Sequence, residues 1–134
     1  MIPKYRAWDK RKQLMREVAV LHFNKNGNVS GIEYWKTPYD LQSIHVRDIE
    51  LMQSTDLKDK NDVEIFEGDA VSYNDGEFSF IGSVEKDRYQ FYIDGIEPLE
   101  SYDFIDFSNT FDGTTSLTIL GNIHENPELL EVEG

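Results

Sequence analysis

The sequence predicts a mainly β chain with a small α component, closing in a small barrel over its carboxyl-terminal half. Three observations carry that reading. Apolar and polar residues alternate in short runs, turn dipeptides recur between those runs, and no long stretch keeps a helical period.

The elements follow in order. Lys4-Tyr5-Arg6-Ala7-Trp8 alternates and reads as a short strand, with the basic turn Asp9 to Lys12 behind it and Tyr5 and Trp8 as core anchors. Leu14 to Phe23 is apolar on both alternation phases, which favours a strand buried on both faces over a helix from Gln13 to Leu21. Asn26-Gly27-Asn28 supplies hairpin-turn chemistry and returns the chain into Val29 to Trp35. Thr37 to Arg47 lacks a period and contains Pro38, so a connecting loop is expected. Ile49, Leu51 and Met52 mark a short strand, and Asp56 to Asp62 reads as a surface turn.

From Ile65 onward short strands come at tight spacing. They are Ala70 to Tyr73, Phe78 to Glu85 after the Asn74-Asp75-Gly76 turn, Gln90 to Ile93 closed by Asp94-Gly95, and Leu117 to Gly121. Pro98 to Thr115 mixes large aromatics with acids and reads as a strand plus a loop over the barrel. Pro127 to Leu130 has the proline and early acid of a terminal helical turn.

Composition narrows the function classes. There is no cysteine, which removes disulfides, thiolate nucleophiles and cysteine zinc sites together. Met1 to Trp8 lacks the apolar core of a secretory signal, and no stretch approaches the roughly 20 apolar residues of a membrane span, so a cytoplasmic protein without a membrane partner is expected. The net charge of −13 is unevenly placed. Residues 1–36 carry eight bases against Asp9, Glu17 and Glu33, a balance of +5, which leaves −18 on the rest. That split fits a basic arm for nucleic acid, an acidic surface that mimics one, head-to-tail association of opposite ends, or a plain solvated surface.

Three stretches, in order and spanning nearly the whole chain, resemble the YopX family of phage and prophage proteins. They are Ile2-Pro3-Lys4-Tyr5-Arg6-Ala7-Trp8-Asp9, the central run from Leu51 through Asp59-Lys60-Asn61-Asp62 and Glu67-Gly68-Asp69 to Val71, and Leu120-Gly121-Asn122-Ile123-His124-Glu125-Asn126-Pro127 to Leu130. The family pattern has glycine where this chain has Asp56 and Asp62. Aspartate tolerates left-handed backbone better than most residues, at a cost of about 1 kcal/mol. The resemblance implies an irregular α+β amino-terminal region, residues 1–55, followed by an SH3-like barrel, residues 56–134. It implies an accessory protein of phage or prophage and no particular activity, so no residue role is carried over.

Chemistry-bearing motifs are few. Glu67-Gly68-Asp69 reads as a glycine-hinged lead-in to a strand rather than a carboxylate pair, since no histidine lies near it. Asp59 to Glu64 fails the calcium-loop spacing, having Val63 and Glu64 at its fifth and sixth positions. His22, His45 and His124 show no metal-ligand spacing, and neither a phosphate-binding glycine loop nor a nucleophile elbow occurs. No catalytic residue, metal or cofactor is therefore expected. Two binding candidates remain. Lys4, Arg6, Lys10, Arg11, Lys12 and Arg16 form a basic segment suited to nucleic-acid phosphates. Tyr102, Phe104, Phe107 and Phe111 form an acidic, aromatic tract suited to a protein partner, the chain itself in a homo-oligomer or a host or phage protein, unless these aromatics simply complete the core. A non-enzymatic interaction module leads, with nucleic-acid binding as the alternative.

Overall fold

A computed structural model describes residues 4–88 and 90–131, and the chain divides into two compact units, 1–53 and 54–134. Ile2 and Pro3 of the opening motif lie outside the described residues. The chain is mainly β.

In the first unit, β1 (Tyr5–Asp9), β2 (Leu14–Phe23), β3 (Val29–Thr37) and β4 (Asp40–His45) form an antiparallel meander, and β5 (Ile49–Lys58) returns to pair with the free edge of β1. The α component expected here is replaced by strands. Helical backbone among the unit's described residues is confined to a 3-10 turn, Val46–Asp48, capped where His45 Nδ1 accepts from the Arg47 amide. Registry sorts the faces. Ala7 stands opposite Arg16 and Leu51, and Ile32 opposite Leu21 and Ile44, so Ala7, Ile32, Tyr34, Ile44 and Ile49 share one buried cluster. β2 is not buried on both faces as expected. Leu14, Val20 and Phe23 are exposed, no position of the strand is buried, and register shifts between Val18 and Val20 and between His22 and Phe23 break its alternation. The loop expected between Thr37 and Arg47 is largely β4, whose first turn is held by Thr37 Oγ1 accepting from the Tyr39 and Asp40 amides. Pro38 falls in that turn, where its missing donor costs nothing.

In the second unit the far half of β5 pairs with β6 (Glu64–Phe66). The chain then forms β7 (Asp69–Asn74), β8 (Ser79–Lys86), β9 (Phe91–Glu97), β10 (Ser101–Asp103), a 3-10 turn Phe104–Phe107, the small hairpin β11 (Ser108–Asn109) and β12 (Thr114–Thr115), β13 (Thr118–Asn122), and a final 3-10 turn Pro127–Leu130. A five-stranded antiparallel sheet runs β10-β9-β8-β7-β13. Its two edges do not pair with one another, so it is an open sheet and not the closed SH3-like barrel expected. Ile65, Val71, Phe80, Val84, Ile93, Phe104 and Leu117 form the core.

Asp94-Gly95 does not close its strand. Gly95 sits within β9 directly opposite Gly82, where a Cβ on Gly82 would lie 2.7 Å from the Asp94 carbonyl oxygen. The two backbones approach more closely there than side chains allow.

The family-like central run is built by backbone-binding carboxylates. Asp59, buried, accepts from the Asn61 and Val63 amides through Oδ1 and from the Ile119 amide through Oδ2, at 2.9, 3.0 and 3.0 Å. That one side chain ties the turn after β5 to β13. Asp69, also buried, accepts from the Phe66 amide at 2.8 Å, and Gly68 turns between them with φ +87°. The Gly68 amide donates to Val84 and its carbonyl accepts from Ile123, which anchors the lead-in to β7.

Asp56, inside β5 and not in the surface turn expected from Asp56 to Asp62, and Asp62 have φ of +66° and +67°. This makes a testable contrast at Asp62, which is exposed and reaches Lys58 Nζ at 3.3 Å. Asp62→Gly holds or raises the urea midpoint, a gain of up to about 1 kcal/mol offset by the surface pair. Asp62→Val, β-branched in left-handed backbone, costs about 1–2 kcal/mol.

Candidate functional site

Only part of the predicted basic segment converges. Asp9 ends β1 with its carboxylate wholly buried, and the turn after it closes around that group. Oδ1 accepts from the Arg11 and Lys12 amides at 3.0 and 3.2 Å, Oδ2 accepts from Arg16 Nε at 3.2 Å, and Gln13, at φ +57°, donates its amide to the Asp9 carbonyl. Arg16 lies two pairs along β2 from the partner of Asp9, opposite Ala7, and its guanidinium carbon sits 4.3 Å from the centre of the Tyr34 ring. Tyr34, Lys36 and Gln42 come to the same face from β3 and β4, Gln42 directly opposite Tyr34. Together Arg11, Lys12, Arg16, Tyr34, Lys36 and Gln42 line a groove of about 540 Å³.

The other three predicted bases stand apart from it. Arg6 is opposite Glu17, on the reverse face of the sheet from Arg16. Lys10 Nζ reaches the Arg47 carbonyl at 3.5 Å, and Lys4 is exposed just ahead of β1. Trp8 is buried and Tyr34 is only 3% exposed, so neither offers a free ring face for a base. Lys36 and Gln42 escaped sequence reading because strand registry, not proximity in the chain, brings them in. The available signal was Lys36 two residues beyond Tyr34, on one face of one strand.

Burial alone would push the Asp9 carboxyl up, but the Lys12 and Arg11 amides and the Arg16 guanidinium outweigh it and hold the group below the usual aspartate range. A carboxyl whose folded value lies below its unfolded value contributes stability that is complete above the unfolded value near 3.8 and is lost as pH falls through the folded one. Acid titration of the unfolding free energy therefore shows a decline below about pH 4, and Asp9→Asn flattens that part of the curve.

The aromatic tract separates in the same way. Phe104 is buried against Phe91, ring centres 6.2 Å apart. Tyr102 stacks on Phe80 at 4.2 Å and 11°, and Phe107 packs edge-on against Phe80 at 5.1 Å. These three complete the core. Phe111 alone of the four is outside, at 101% of its reference area, on the tip between β11 and β12. That tip is braced. Asn109 Oδ1 accepts from the Phe111 amide, the Asn109 carbonyl accepts from Gly113, Asp112 Oδ1 accepts from Thr114, and the Gly113 carbonyl accepts from Lys58 at the end of β5. Gly113, at φ +76°, allows the tight return. Ile105, two-thirds exposed, and the acids Asp106 and Asp112 lie on the same segment.

The histidines remain separate. His22 meets Glu33 at 2.9 Å, His45 caps its turn, and His124 is half-buried near β13. Among the described residues no group of three or more histidines or carboxylates is placed to hold a metal ion.

The YopX protein family model matches residues 4–131. The chain belongs to the YopX family. Two solved structures carry its fold: protein EF1440 from Enterococcus faecalis, 29% identical over 98% of this chain and 99% of that one with a TM-score of 0.66, and protein yopX from Bacillus subtilis, 20% identical over 96% and 98% with a TM-score of 0.64. No curated protein matches in sequence. Within this YopX-family chain the family-like run around Asp59 and Gly68 is scaffold, and the groove and the Phe111 tip lie outside it.

Proposed function

We propose that this chain is a non-enzymatic protein-interaction module, an accessory protein of phage or prophage, and that the Phe111 tip is its anchor. The carrying observation is a large aromatic held wholly in solvent by a hairpin whose own hydrogen bonds fix it. A rigid exposed aromatic loses little entropy when a pocket closes over it, which is why such groups dominate binding energy at interfaces. Asp106 and Asp112 give the tip an acidic setting and select a partner with a basic rim. The +5 on residues 1–36 and the −18 on the rest make a second copy of the chain the first such partner to test. Sedimentation at low and high salt reads this directly: a mass above the monomer that falls as salt rises supports self-association, and a monomer at every salt concentration removes that version.

Nucleic-acid binding is the second reading, favoured by the convergence of Arg11, Lys12 and Arg16 with Lys36. It predicts retention on DNA or RNA at low salt, lost when Lys10, Arg11 and Lys12 are changed to Glu. No retention of the wild type ends it.

A further inference from the structure

We infer that the groove of the first unit is a phosphate site, taking a phosphate group that presents two or more negative charges. This deepens the nucleic-acid reading at the same residues but stands without it, because the site recognises the phosphate and not the strand. Four cations, Arg11, Lys12, Arg16 and Lys36, line the groove, and among the described residues no carboxylate does. Asp9, bound to Arg16 and 3.6 Å from Arg11 Nε, offsets one of them, which leaves a balance of +3 for a ligand to meet.

Arg16 is built for the purpose. Its side chain is only 19% exposed, its Nε is committed to Asp9, and its guanidinium carbon lies 4.3 Å from the Tyr34 ring centre. A bond through Nε leaves the two Nη groups as a paired edge, the geometry that meets two phosphate oxygens at once. Fixing that edge in advance removes most of the ordering cost of binding. Lys12, on the turn between β1 and β2, and Lys36, on β3, are both exposed and add mobile charge.

The same arrangement excludes other recognition. The Arg11 and Lys12 amides are occupied by the Asp9 carboxylate, so the turn does not itself cradle an anion and side chains must do so. Tyr34 is buried and covered by Arg16, so no base stacks there. Gln42 adds an amide suited to an ester oxygen or hydroxyl. A volume of about 540 Å³ exceeds one phosphate and suits a polyphosphate or the terminal phosphate of a larger molecule.

The test is titration calorimetry of the full chain at low salt with inorganic tripolyphosphate, a 5′-phosphorylated oligonucleotide, and the same oligonucleotide lacking that phosphate. Saturable binding of tripolyphosphate is expected, weakened at least tenfold by Lys12→Gln with Lys36→Gln and unchanged by Lys25→Gln, a base on the β2–β3 turn that does not line the groove. Both lysines are exposed, so the double variant keeps its thermal midpoint. Preference for the phosphorylated over the unphosphorylated strand assigns a strand terminus as the source, and binding of tripolyphosphate alone assigns a small phosphate compound and ends the nucleic-acid reading. Absence of saturable tripolyphosphate binding, or an equal loss in Lys25→Gln, overturns the proposal.

Discussion

Phe80→Ala unfolds at a free energy about 3–5 kcal/mol below that of the wild type, the largest single-residue loss expected in this chain. Phe80 is 2% exposed on β8 and is the hub of the second unit's aromatic packing. Tyr102 stacks on it at 4.2 Å, Phe107 meets it edge-on at 5.1 Å, and Tyr73 and Phe78 flank it at 5.6 and 6.1 Å. Truncation removes the ring's own burial and strands four neighbours around a cavity they cannot all move to fill. Equilibrium denaturation in urea measures this. Phe80→Leu, which keeps most of the volume, retains well over half the lost stability if cavity formation dominates.

Asp59→Ala is expected to cost about 3 kcal/mol. Three amides lose a charged acceptor at once, and the bond from Ile119 crosses from β13 to the turn after β5, sixty residues away in the chain. Asn61 and Val63 are exposed residues of a turn, where water can replace the lost partner more readily, so the Ile119 amide carries much of the penalty. Asp59→Asn tests the direction of these bonds: one amide oxygen still accepts, while the amide nitrogen now meets a donor, and the loss falls between those of wild type and alanine. Hydrogen exchange at Ile119 reports the broken link locally.

Local chemistry was legible wherever a residue's role is set by its neighbours in the chain. The Asn26-Gly27-Asn28 hairpin and the Gly68 hinge follow from residue type, while the left-handed positions at Asp56 and Asp62 came from the family resemblance; all four of Gly27, Gly68 and the two aspartates have positive φ, although Asp56 lies inside β5 and not in the surface turn expected from Asp56 to Asp62. Decisions made across strands were not legible. Asp94-Gly95 has the composition of a strand end, yet Gly95 lies inside β9 because Gly82 stands opposite it and lets the backbones close. Closure of a barrel depends on whether the edges β10 and β13 meet, which no local pattern encodes, and they do not. β4 was hidden by Pro38 at its turn and by a strand that is exposed at five of its six positions, leaving no alternation to see.

The candidate sites divide along the same line. Arg11, Lys12 and Arg16 were visible as a charge run, whereas Lys36 and Gln42 enter through the β2–β3–β4 registry. Phe111 was visible as an aromatic among aromatics. Its difference from Tyr102, Phe104 and Phe107 is signalled by Asn109, Asp112 and Gly113, turn-forming residues that place it at a tip and not on a packed face.

The account of function rests on Phe111 serving a partner and not the fold, and Phe111→Asp measured by both thermal unfolding and sedimentation at low salt tests this most directly. The expected result is an unfolding midpoint within about 0.5 kcal/mol of the wild type together with loss of the assembled species. Assembly persisting at the wild-type level, or a large fall in stability, would contradict it.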